Sequence, residues 1–202
     1  IMTNHQSTPS LIIRIDPGSR MTGYGIIKSD GNQLSFIDAG TIKTDSKDMP
    51  TRIAQIFEGI YRIVEHHKQY KNYPMMAAIE EVFMAQNPDS ALKLGQARGA
   101  AIAALTFCEL SVAEYTARQI KQSVCGYGAA DKTQILAMVQ RLLNLDFMPQ
   151  VDAGDGLACA ICHAYNSHSM QKILGASRAT SKKKGRWRLS DEDILAIKSS
   201  RS

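Results

Sequence analysis

Leu11-Ile12-Ile13-Arg14-Ile15-Asp16-Pro17-Gly18-Ser19 is a short apolar run, rich in β-branched residues, that stops at Asp-Pro-Gly. The run reads as a β-strand and Pro-Gly as the turn that ends it, which leaves Asp16 at the strand's C-terminal end. Met75-Met76-Ala77-Ala78-Ile79 repeats the arrangement: it suits a central strand, is short for a helix, and ends in Glu80-Glu81. Adjacent strand residues point to opposite faces, so spacing alone leaves open which of those two acids shares a face with Asp16. A third stretch differs in kind. Asp152-Ala153-Gly154-Asp155-Gly156-Leu157-Ala158-Cys159-Ala160-Ile161-Cys162 places two acids at i and i+3 before a long apolar helical pattern, on one helical face.

Each of these acids has an ordinary explanation, since Asp is common at strand-ending turns and in the first turn of a helix, where the macrodipole favours negative charge. Four together are harder to account for that way. Carboxylates gathered at one place repel one another and are tolerated when a cation neutralises them. Oxygen-only ligands favour Mg²⁺, with Mn²⁺ as a substitute. Two such ions about 3.5 to 4 Å apart activate a water and stabilise the leaving oxygen of an in-line phosphoryl displacement. Phosphodiester hydrolysis at a site of Asp16, Glu80, Asp152 and Asp155 is therefore the expected chemistry, with two ions per site.

At 202 residues the chain is long enough for one domain with a full hydrophobic core. Hydrophobic content is 44% with no uninterrupted apolar stretch near the roughly 18 residues of a membrane span, and the polar start Met2-Thr3-Asn4-His5-Gln6 lacks signal-peptide character. A cytoplasmic protein is expected, with Ile1 read as a residue added ahead of the natural start. The net charge of +5 is not evenly spread: Arg178, Lys182, Lys183, Lys184, Arg186 and Arg188 exceed it by themselves, so the rest of the chain is slightly acidic. The expected division is an N-terminal extension over 1–10, a nuclease domain over 11–174 and a basic, disordered tail over 175–202. Any grip on a polyanion by the folded part needs its cations segregated on one face.

Two motifs invite other readings. Cys159-Ala160-Ile161-Cys162-His163 has haem-attachment spacing, and Cys162, His163 and His168 suggest zinc. Both cysteines fall in an apolar helical run, and Cys108 and Cys125 form no second pair at metal spacing, so all four read as reduced core thiols. Gly126-Tyr127-Gly128-Ala129-Ala130-Asp131-Lys132-Thr133 misses the phosphate-binding loop pattern at one position. Asp131 there puts a charged side chain where backbone amides must approach phosphate; with Gln134 it reads instead as a helix N-cap and N3 pair.

Thr22 to Lys28 and Gln33 to Ile42 read as two further strands joined at Asp30-Gly31-Asn32, making an antiparallel meander with the first. Ile53, Ile56, Phe57, Ile60, Ile63 and Val64 recur at spacings of three and four and predict an amphipathic helix over 51–67. A helix over 90–109, a strand over 111–115, and helices beginning near Asp131 and Asp152 complete the order βββαβαβαα. That order fits an α/β fold of the ribonuclease H type, a mixed five-stranded sheet with helices on both faces. The first and fourth strand ends then lie side by side, where a crossing helix brings in Asp152 and Asp155.

These residues resemble the RuvC family of Holliday-junction resolvases. The resemblance is carried by Ile15-Asp16-Pro17-Gly18-Ser19-Arg20 with Thr22-Gly23-Tyr24-Gly25, by Ile79-Glu80-Glu81-Val82-Phe83, by Ser90-Ala91-Leu92-Lys93-Leu94-Gly95-Gln96-Ala97-Arg98-Gly99, by Ala117-Arg118-Gln119-Ile120-Lys121-Gln122 and by Asp152 to Ala158. It runs from about residue 11 to 170. It implies a homodimeric, Mg²⁺-dependent endonuclease that cuts two opposed strands of a four-way DNA junction and works with the branch-migration motor proteins RuvA and RuvB. It also selects Glu80 over Glu81. Lys121 and Lys132 match basic positions near the scissile phosphate, and Phe83 matches an aromatic that meets bases at the junction. Arg20, Lys93 and Arg98 are further DNA-binding candidates, each explained nearly as well by a surface ion pair.

Two rivals remain at this point. A catalytically silent junction-binding module needs the cations and Phe83 but not four acids. An actin-like or sugar-kinase ATPase also carries Asp-x-Gly after its first strand, but usually needs two lobes.

Overall fold

β1 (Ser10–Asp16) lies at the centre of the sheet, and its alternation decides what each layer of the molecule contains. The computed structural model describes residues 8–68, 73–81, 87–149 and 151–178, except for the side chains of 151, 152 and 168–178. β2 (Met21–Asp30) and β3 (Gln33–Lys43) continue from β1 as the expected antiparallel meander, with a shift of register between Ile26 and Ile27. β4 (Met75–Glu80) pairs with β1 in parallel, and β5 (Val112–Tyr115) pairs with β4 in parallel. The order β3-β2-β1-β4-β5 is the mixed five-stranded sheet expected from the sequence.

Successive strand residues alternate between faces. Ile13, Ile15, Ala77 and Ile79 therefore join one core with α1 (Met49–Lys68) and α2 (Pro88–Phe107), through Ile56, Ile60 and Val64 from the former and Ala97, Ala101, Ala104 and Leu105 from the latter. All eleven side chains are fully buried. Ile12 and Ala78 point the other way, into a core built by α3 (Ala117–Cys125), α4 (Lys132–Leu142) and α5 (Val151–Arg178). Leu157, Ala158, Cys159, Ala160, Ile161, Cys162 and Ala164 of α5 are buried there, as the apolar helical pattern implied.

Helix ends follow local chemistry. α2 starts two residues earlier than periodicity predicts, because Asn87 caps it by accepting from the Asp89 amide and Pro88 fits the first turn. α3 is a helix that the apolar pattern alone does not reveal. Thr116 and Gln119 form its capping box, and Gly126 closes it in the left-handed conformation. α4 opens on the expected Asp131–Gln134 box. The chain divides into units Ile1–His168 and Ser169–Ser202; of the second, the described residues 169–178 are the last turns of α5. Phe83 and the basic stretch beyond Arg178 lie outside the described residues.

Candidate functional site

The last paired residues of β1 and β4 are Ile15 and Ile79, so Asp16 and Glu80 follow side by side at the adjoining strand ends. Both share the face of Ile12 and Ala78, the face covered by α5. Glu81 comes after the strand and is exposed, its amide donating to the Tyr115 carbonyl at 2.8 Å. The pleat thus distinguishes the two acids that spacing left open. The turn after Asp16 is tightly held: buried Thr22 donates its hydroxyl to the Gly18 carbonyl at 3.0 Å, and a Cβ on residue 18 would stand 2.3 Å from the Met21 carbonyl oxygen. Only glycine fits there without moving backbone.

Between the two acids stands a residue that sequence reading left inside the apolar run. Arg14 is 2% exposed, and its Nη2 lies 3.3 Å from Asp16 Oδ1 and 3.7 Å from Glu80 Oε2. The signal for it was present, since a cation two residues before Asp16 on a strand shares its face. Space for the guanidinium comes from α5: a Cβ on Gly156 would sit 3.0 Å from Arg14 Nη1.

Glu80 takes up a proton more readily than an ordinary carboxylic acid. Burial is the main cause, opposed by the Arg14 charge, reinforced by Asp16 and Asp155, and opposed again by Lys121. Asp16, Asp155, Arg14 and Lys121 therefore all act electrostatically on Glu80. Lys132, at the start of α4, approaches Asp155 at 3.8 Å. Asp152 lies one helical turn before Asp155, on the same face of α5.

The remaining candidates separate. Arg20 and Lys93 line a cleft of about 300 Å³ with Ser19, Arg52, Ser90 and Leu94. Arg52 was not among the sequence candidates. Lys93 also pairs with Asp89 on its own helix. Arg98 is turned inward: it donates to the Glu80 carbonyl at 2.6 Å and pairs with Glu114, so it ties the end of β4 to β5 and α2. The Cys-x-x-Cys-His stretch is core. Cys159 is buried with its thiol pushed up to about 12, first by burial, and His163 packs inward against the Tyr115 hydroxyl at 2.8 Å.

A hard divalent cation suits this donor set. Its described acids offer oxygen only, and a cation among them relieves the burial and mutual repulsion that act on Glu80. Among the described residues no three acid, His or Cys side chains form a ready-made ligand group, and the Asp152 side chain is not among those described.

A β3-β2-β1-β4-β5 sheet with acids at the adjoining ends of its central strands and on a helix across that face defines a ribonuclease H-like protein with an acidic site. The family model described as Crossover junction endodeoxyribonuclease RuvC matches residues 12–163. A Crossover junction endodeoxyribonuclease RuvC of Psychrobacter sp. (strain PRwf-1) is 65% identical, covering 94% of this chain and 100% of its own. One of Acinetobacter baylyi is 63% identical, covering 89% and 97%. The structure of Thermus thermophilus RuvC in complex with a Holliday junction substrate superposes with a TM-score of 0.72 at 26% identity, over 80% of this chain and 96% of that one. The yeast mitochondrial Holliday junction resolvase shares the fold, with a TM-score of 0.56 at 11% identity over 84% of each chain. The chain belongs to the RuvC family.

Proposed function

We propose that this chain is a structure-selective endonuclease that resolves four-way DNA junctions by hydrolysing one phosphodiester on each of two opposed strands. The observation that carries the reading is the convergence of Asp16 and Glu80 at the paired ends of β1 and β4, with Asp155 and Lys121 acting on the same carboxylate. The 62–65% identity to curated crossover junction endodeoxyribonucleases supports the substrate class.

Asp16, Glu80, Asp152 and Asp155 are the residues to hold divalent metal, with Mg²⁺ the fitting ion, Mn²⁺ its substitute and two ions the fitting number for four acids. Bound metal supplies Lewis acidity, lowering the pKa of a water and neutralising charge on the phosphate. The chain's own residues do the rest. Arg98 fixes the backbone of Glu80, and the Gly18–Thr22 turn fixes that of Asp16. Lys121 and Lys132 stand at the acids as cations for the scissile phosphate. Water attacks phosphorus in line, the bond to the 3′ oxygen breaks, and the ends are left ready for ligation.

Arg20, Arg52 and Lys93 line one cleft and suit DNA backbone. Phe83 is proposed to stack on junction bases, a sequence-tolerant contact. A homodimer would present two such sites about a two-fold axis matching that of the junction. RuvA and RuvB are the partners that family membership suggests.

The test is cleavage of a synthetic four-way junction with Mg²⁺ by wild type and Asp16→Asn. Loss of about a hundredfold or more, with junction binding retained, is expected. Unchanged cutting by the variant would sink the assignment.

A further inference from the structure

Among the described cations whose charge faces the acids, Arg14 is held in place by burial. Lys132 is 71% exposed at its side chain and Lys121 half-buried, so both can turn toward a phosphate when one arrives. Arg14 is 2% exposed, enclosed between the sheet and Gly156 of α5, and its Nε has no hydrogen-bond partner among the described residues. A guanidinium stays charged in any protein environment. A buried charge is tolerated only when opposite charge lies close by, and here Asp16 and Glu80 provide it from one side, at 3.3 and 3.7 Å from the same Nη2. Neither distance is that of a short, bidentate fork, so the pair is held by charge more than by directed hydrogen bonds.

The same geometry has an opposite consequence for an incoming cation. Two carboxylates whose charge is already partly answered attract a divalent ion less, and the ion must bind within a few ångströms of a fixed positive charge. We propose that Arg14 is a resident counter-cation of the carboxylate site: it keeps Asp16 and Glu80 facing one another without metal, and it weakens the site's hold on divalent metal when no DNA is bound. Arg14 is thus a positioning residue that sets metal affinity. Its inference rests on the metal-dependent reading above.

The experiment is a Mn²⁺ titration of the full-length, DNA-free chain, with free Mn²⁺ read by electron paramagnetic resonance. Arg14→Gln is expected to bind Mn²⁺ on the order of tenfold more tightly than wild type, and Arg14→Lys within about twofold of it, because the second variant retains the charge. Without metal, Arg14→Gln is also expected to melt below wild type and to recover more of its melting temperature when Mn²⁺ is added. Equal Mn²⁺ affinity in wild type and Arg14→Gln overturns the inference. If Arg14→Gln is unfolded without metal, its circular dichroism is followed as Mn²⁺ is added: refolding supports the proposal, and failure to refold at concentrations that saturate wild type overturns it. Asp16→Asn separates the two levels. Binding that ignores Asp16 removes the metal site itself, whereas binding that needs Asp16 but ignores Arg14→Gln removes only the role of Arg14.

Discussion

The two faces of the sheet are made from the same strands and have opposite characters. Against α1 and α2 the strands present Ile13, Ile15, Ala77 and Ile79, all fully buried and all apolar. Against α5 the same strands present Ile12 and Ala78 and then, at their ends, Arg14, Asp16 and Glu80. At these positions one face is all core. The other gives up part of its core to hold charges where a helix and solvent meet. On the proposed site assignment, function and stability are divided here by a period of two residues, so neighbours in sequence belong to different tasks.

Substitutions on alternate positions of one strand should separate these tasks. The largest effect is expected from Glu80→Gln, which should reduce junction cleavage by about a hundredfold or more while the chain still folds, because Asp16 continues to face the Arg14 charge. Cleavage within a few-fold of wild type would break the division. Ile13→Ala, on the other face, should lower unfolding stability by about 2 to 5 kcal/mol in a denaturant titration, with cutting by the folded fraction retained. Thr116→Ala removes a cap from α3, the helix that carries Lys121, and should lower stability by about 1 kcal/mol.

The smallest effect is a dependence on pH. Burial holds His163 neutral by lowering its pKa from the usual 6.5, so the unfolded chain binds this proton more readily than the folded one. Its contribution to stability is fully present above about 6.5 and is lost as pH falls from there toward the folded value. Melting temperatures across that window should fall more for wild type than for His163→Asn. Parallel curves would show that His163 contributes nothing to the acid sensitivity of the α5 face.

Much of this arrangement is legible in the sequence because it is written in short-range patterns. The turn at Asp16-Pro17-Gly18, the apolar run before Glu80 and the period of α1 each need only a few neighbouring residues to be read. α3 was harder, because only Ile120 and Val124 of its nine residues are buried and its identity rests on the Thr116–Gln119 box. Arg98 looked like a surface cation because nothing local shows that it reaches back to the Glu80 carbonyl. Arg14 reads in the sequence only as one member of the apolar run. Its role depends on Gly156, far along the chain, leaving room for a guanidinium.

The pairing of β1 with β4, and the late arrival of α5 over their ends, also has a meaning in time. The acids span residue 16 to residue 155, so no short stretch of the chain contains the site. During synthesis the meander of β1, β2 and β3 can form from local contacts, whereas the β1–β4 seam and the α5 layer wait for residues made much later. If the proposed acids are the cutting site, a ribosome-bound chain that has not yet released α5 is unarmed, and the site comes into being only once α5 is in place.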